Sequence, residues 1–125
     1  MAKASLILFA HGARDPRWAE PFQRLQRILQ GQSPDVDVSL AFLELMSPRL
    51  PERVAQLVAE GCTGVTVVPV FFGQGGHVLR DLPVIIEQIR TDHPQLAIRA
   101  SPAVGESEEV LNAIAGYCLG QMRAG

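Results

Sequence analysis

The chain predicts an α/β fold: a three-layer α/β/α domain with helices on both faces of a four-stranded parallel sheet, strand order 2-1-3-4. Three observations carry that expectation. Strand-like apolar runs alternate with helix-period segments four times along the chain. The first and third runs, SLILFA and VTVVPVFF, carry no charge from end to end, as strands covered on both faces do. The 125 residues, 47% hydrophobic and 19% charged, suit one domain spanning 1–125. A chain of that length buries roughly two-thirds of its unfolded surface without help from disulfides or a structural metal.

Each element has its own signal. Ser5 to Ala10 reads as a central strand. Asp15 and Pro16 make a turn, after which Trp18, Phe22, Leu25 and Leu29 recur at helical spacing. Pro21 lacks an N–H and belongs in a first turn, so that helix starts near Trp18. Val36 to Leu43 forms the second strand, with Val36, Val38 and Leu40 alternating against Asp37 and Ser39. Pro48 and Pro51 restrict the chain before a helix carrying Leu50, Val54, Leu57 and Val58, and Gly61 stops it. Val65 to Phe72 is the third strand, and GQGGH follows as a loop. Asp81 and Pro83 signal a helix start, with Leu82, Ile86 and Ile89 on its inner face. Leu96 to Ala100 is a short strand nearer an edge. The last helix, from about Ser107 to Met122, places Val110, Leu111, Ile114, Ala115, Cys118, Leu119 and Met122 on a buried side. Right-handed crossovers join the strands.

Composition removes several functions. Net charge is -2 and no run of Lys or Arg is long enough to track a phosphate backbone, so nucleic acid is not the expected partner. No apolar stretch has the length of a signal core or a membrane span, which points to a cytoplasmic protein with no membrane partner. Cys62 and Cys118 are too far apart for a CxxC unit and read as small buried hydrophobes in a reducing compartment.

The chemistry sits where strands end. In a parallel sheet all carboxyl ends lie on one edge, and ligands bind in the crevice outside it. His11 follows the first strand, Glu44 the second and His77 the third, so the three converge on one rim. Two imidazoles and a carboxylate suit a divalent transition metal, and neutral imidazole also accepts protons near neutral pH. Taken singly each has a plain alternative: a strand-end histidine bonded to a loop, a solvated glutamate, a tight turn at Gly73, Gly75 and Gly76. Their coincidence is more specific than any one of them. The glycines would let a large flat ligand approach the backbone closely. Arg14, Arg17, Arg49 and Arg80 lie just beyond the ligand ends, and Arg14 and Arg80 are the candidates for substrate carboxylates. His93, in DHP, falls on the opposite edge, where it faces solvent near a helix end.

Two other α/β readings fit less well. HGARD is similar to the RHG core of histidine phosphatases, but Ala10 stands where the arginine would be, and no GKS/T or GxGxxG follows a strand. A receiver-type domain would carry an acidic cluster at the end of the first strand, where this chain has His11.

FAHGARDP, FLE and PVFFGQGGHVLRDLP together resemble the short CbiX-type sirohydrochlorin chelatases of the class II chelatase superfamily, over most of the chain. The resemblance implies a chelatase-like fold that is half of a two-domain architecture, and hence a homodimer with clefts near the subunit interface. It implies insertion of a divalent metal into sirohydrochlorin, on the route to cobalamin or siroheme, with no organic cofactor. Cobalt is the expected metal, with ferrous iron and nickel as further candidates. The family's metal-site histidines map onto His11 and His77 and its strand-end glutamate onto Glu44. A non-catalytic metal or tetrapyrrole carrier is the alternative, and turnover separates the two.

Overall fold

The computed structural model describes the backbone of residues 3–73 and 76–124 and the side chains of residues 4–73 and 80–124. Four strands, β1 (Lys3–Ala10), β2 (Asp37–Phe42), β3 (Cys62–Pro69) and β4 (Ala97–Ala100), pair in the order β2-β1-β3-β4, all parallel. The sheet expected from the sequence is therefore the one observed. The helices are α1 (Glu20–Gln32), α2 (Leu50–Ala59), α3 (Gly76–Asp92) and α4 (Glu108–Ala124).

β1 is uninterrupted in its apolarity because it is central. Ile7, Leu8, Phe9 and Ala10 are all buried, with alternate residues pointing into different cores. On one face Ile7, Phe9, Val65, Val67 and Ile98 lie beneath Leu50, Val54 and Leu57 of α2 and Leu82, Ile86 and Ile89 of α3. On the other face a smaller core joins Ala10, Ala19 and Phe42 to Trp18, Phe22, Leu40 and Met46. There the Trp18 and Phe22 rings lie 4.6 Å apart between centroids. The Gln30 side chain ties the end of α1 to β2, donating to Val36 O at 2.7 Å and accepting from Val38 N at 3.0 Å.

Several boundaries differ from expectation. A 3-10 turn at Pro16–Ala19, capped by the Asp15 side chain, precedes α1. β3 ends at Pro69, not Phe72, because β4 pairs only as far as Val67 and β1 alone borders the last residues. α3 begins at Gly76 instead of Asp81, with Pro83 inside it on the exposed side. Pro83 costs one helical hydrogen bond, and the packing of Leu82, Ile86 and Ile89 on the sheet accompanies that loss.

α4 is the larger correction. The sequence places seven of its residues on a buried side, yet none of its residues is buried, and every residue from 111 to 124 is exposed. Cys118 is exposed with the rest, whereas Cys62 is buried and its thiol lies 3.4 Å from Ser5 Oγ. Helical periodicity reports which residues share a face, not whether anything covers it.

Phe9→Ala should lower stability by about 3–5 kcal/mol in urea unfolding. Phe72→Ala, at a ring 68% exposed, should change it by no more than about 0.5 kcal/mol.

Candidate active site at the carboxyl rim of the sheet

β1 and β2 deliver His11 and Glu44 to the same rim, where His11 Nε2 lies 3.4 Å from Glu44 Oε1. The side chains are 44% and 37% exposed, so the pair is reachable from the crevice. The separation exceeds the roughly 2.7–2.9 Å of a short charge-assisted hydrogen bond.

Backbone contacts set this juxtaposition. The β1–β2 ladder runs past the strand ends, with Leu43 N–H donating to Ala10 O at 3.0 Å and Glu44 N–H to His11 O at 3.1 Å. Gly12, at φ 98, lies flat against the Glu44 carbonyl, and a Cβ there would sit 1.8 Å from Glu44 O. Only glycine fits, on both counts. The chain then reverses at once: Met46 N–H donates to Glu44 O at 2.8 Å around Leu45, whose φ is 67. A three-residue turn with positive φ at a branched residue is a strained conformation. Beneath it lie Met46, Phe42 and Trp18 of the smaller core.

The exit of β3 is anchored separately. Val70 N–H donates to Phe9 O at 2.8 Å, and the Phe71 ring meets Phe9 edge-on at 5.8 Å. Phe71 O accepts from Gly105 N–H at 2.8 Å, and a Cβ on Gly105 would lie 1.9 Å from Phe72 O. The short turn Val104–Glu106, at the foot of α4, is thereby fastened to the segment that leads to His77.

The structure brings together His11 and Glu44. His77 is the second residue of α3, at the same rim by connectivity, but its side chain lies outside the described residues, as does Gly75 altogether. Gly76 opens α3, so it and His77 belong to a helix and not to the loop expected. Gly73 is exposed, with open space around it. Arg14, after β1, and Arg80, in α3, are both exposed. Arg17 is engaged by Asp15 at 2.8 Å and holds that carboxyl below its ordinary value by hydrogen bonding. Arg49 stands at the start of α2, its N–H bonded to Glu52 Oε1. His93 follows α3 and precedes β4, on the opposite edge, as expected. Among the described residues no three His, Cys, Asp or Glu side chains group to hold a metal ion. The contributions of Leu45 and Gly105 had no signal in the sequence, since a leucine and a lone glycine mark nothing by themselves.

The CbiX family model matches residues 5–116. The chain belongs to the CbiX family. Over 88 residues it is 28% identical to the sirohydrochlorin cobaltochelatase of Methanococcus aeolicus, covering 70% of this chain and 62% of that protein. With the sirohydrochlorin ferrochelatase of Bacillus subtilis it shares 26% identity over 115 residues, 90% of this chain but 43% of that protein. The chain thus spans less than two-thirds of the length of each of these relatives. The crystal structure of a CbiX protein from Marinobacter aquaeolei VT8 superposes with a TM-score of 0.87 at 29% identity, covering 98% of this chain and 99% of that one. The SirB chelatase of Bacillus subtilis subspecies spizizenii, solved with cobalt, shares the fold with a TM-score of 0.78 at 23% identity. It covers 91% of this chain and 49% of SirB.

The Gly12 contact can be weighed against a control in the same CbiX chain. Gly61 has a φ of 95 but nothing within 4 Å of its missing Cβ. Gly61→Ala should therefore cost only the backbone strain, on the order of 1–3 kcal/mol. Gly12→Ala should cost clearly more by urea unfolding, because it must also displace Glu44. Equal losses would mean that the contact does not constrain the rim.

Proposed function

We propose that this protein is a sirohydrochlorin chelatase, a lyase that inserts a divalent metal into a tetrapyrrole. The observation that carries the reading is the imidazole and carboxylate at the rim, 3.4 Å apart and open to the crevice. Membership of the CbiX family and the similarity to proteins named cobaltochelatase and ferrochelatase support it. The metal is substrate, not resident cofactor, and no organic cofactor enters. Cobalt is the first choice, with ferrous iron and nickel behind it, since all three accept imidazole and carboxylate ligands.

Metallation makes three demands: the aqua-ion sheds water, two pyrrole N–H protons leave, and the ring offers its lone pairs. His11 and His77 replace water on the metal. Glu44 is anchored through its backbone beside His11 and accepts pyrrole protons, a task that a histidine at the rim shares. The Gly73–Gly76 segment lets the flat macrocycle lie close over the metal. The net charge is -2, so attraction for a ligand ringed with carboxylates has to be local, and Arg14 and Arg80 supply it. The chain acts as one half of a two-domain architecture, completed as a homodimer with clefts near the subunit interface. Two free cysteines agree with a cytoplasmic setting, and among the described residues no helix is long and apolar enough to cross a membrane.

Mixing the protein with sirohydrochlorin and each metal, and following the tetrapyrrole absorption bands, tests this directly. A metal-dependent rate above the no-protein control is expected. His11→Ala and Glu44→Gln should each lower it on the order of 100-fold or more, while Arg14→Ala and Arg80→Ala should chiefly raise KM. Tight binding with no acceleration for any metal would make the protein a carrier.

A further inference from the structure

Two large apolar side chains stand exposed at the carboxyl rim, and neither core accounts for them. Leu45, the residue after Glu44, is 54% exposed, and Phe72, three residues past the end of β3, is 68% exposed. They belong to neither core, although their neighbours Met46 and Phe71 pack against the small and the large one. The backbone does not call for them either. A φ of 67 at residue 45 is met at least cost by glycine, asparagine or aspartate, and leucine adopts it rarely. At Phe72 the close contact with Gly105 is made by main chain alone. Both side chains are thus held out on backbone that is itself fixed. The bond from Met46 N–H to Glu44 O fixes the first, and the bond from Gly105 N–H to Phe71 O the second.

Strand order sets where they stand. β1 lies between β2 and β3, with Ala10 level with Phe42 and Phe9 level with Pro69. Leu45 and Phe72 each come three residues after those partners, on either side of His11. Two strand spacings, about 10 Å, separate the exits of β2 and β3. We infer that Leu45 and Phe72 are the apolar supports of the tetrapyrrole, one on each side of His11, binding the ring and not the metal. The inference rests on the chelatase reading and deepens it. A tetrapyrrole of this kind is largely apolar over its conjugated faces and charged at its periphery. The imidazole and carboxylate serve the cation, and Arg14 and Arg80 serve the peripheral acids, so the faces are the part of the ligand still without a partner. An aromatic side chain stacks on such a face and an aliphatic one covers it. A protein partner would call for a contiguous apolar patch. Here the two side chains are set apart by the polar pair itself, as a ligand both flat and metal-bearing requires.

The test separates ring from metal. Binding of metal-free sirohydrochlorin is followed by its own fluorescence, cobalt binding by calorimetry, metallation by absorbance and assembly by light scattering. The full chain is compared with Leu45→Asn, which suits the positive φ, with Phe72→Ala, and with Phe72→Trp, which keeps an aromatic face. Ile28→Ala is the control, at a residue 52% exposed in the later turns of α1, away from the rim. Leu45→Asn and Phe72→Ala should each raise the tetrapyrrole Kd and KM about 10-fold. Their cobalt affinity, kcat and urea midpoint should stay unchanged, the pattern of lost uniform binding. Phe72→Trp and Ile28→Ala should match the full chain. An unchanged tetrapyrrole Kd in both variants, beside normal binding by the full chain, overturns the supports and leaves the chelatase reading standing. Equal losses of cobalt and tetrapyrrole affinity overturn them too, because the rim itself would then be distorted. A change of assembly mass in place of the Kd change would assign these side chains to a second copy. Binding by the full chain without metallation overturns the chelatase reading alone, and no binding at all overturns both.

Discussion

The contact on which the rest of the site depends is a backbone one, the approach of Gly12 to the carbonyl of Glu44. It closes the β1–β2 ladder one step beyond the strands themselves and leaves the next side chains on each strand facing one another across the rim. Ordinary hydrogen bonds do the holding, two from the ladder and one from the tight turn at Leu45. Glycine's role is permissive: it lets those bonds form at a distance that any other residue would forbid. The small core beneath gives the turn a floor, with Trp18, Phe22 and Phe42 on one side of the sheet, while Phe9 and Phe71 brace the neighbouring exit from the other. The positions of His11 and Glu44 are therefore set by main chain and packing.

Much of this was readable in the amino-acid order, and the parts that were not share a cause. β1 and β3 declared themselves because a strand buried on both faces must be apolar throughout. Strand order followed from alternation and handedness. His11 and Glu44 were found by position alone, as polar residues closing apolar runs on a shared edge. The start of α3 was misread because a proline normally opens a helix, and here it lies inside one, facing solvent. The strain at Leu45 could not be seen, since it arises from where β2 must turn and not from what leucine prefers. For α4 the apolar stripe misled: it places residues on one face of the helix but does not show that anything covers that face, and here residues 111 to 124 are exposed.

The geometry also bears on selectivity. On the proposed reading, a pair half-open to solvent would admit a hydrated cation and a broad ring in either order, without imposing a coordination number. The CbiX relatives include proteins named for cobalt and for iron, in keeping with a ligand set that both metals accept. Discrimination between metals would then rest on supply more than on the histidine–glutamate pair.

The clasp between Gly105 and the Phe71–Phe72 backbone has a mechanical corollary. The exit of β3 at Phe71–Phe72 and the stem of the terminal helix share one joint, the bond from Gly105 N–H to Phe71 O. Any displacement at the Phe71–Phe72 backbone is passed outward along a lever about 25 Å long. Motion at the rim and motion of the terminal helix are thereby coupled through a single peptide contact.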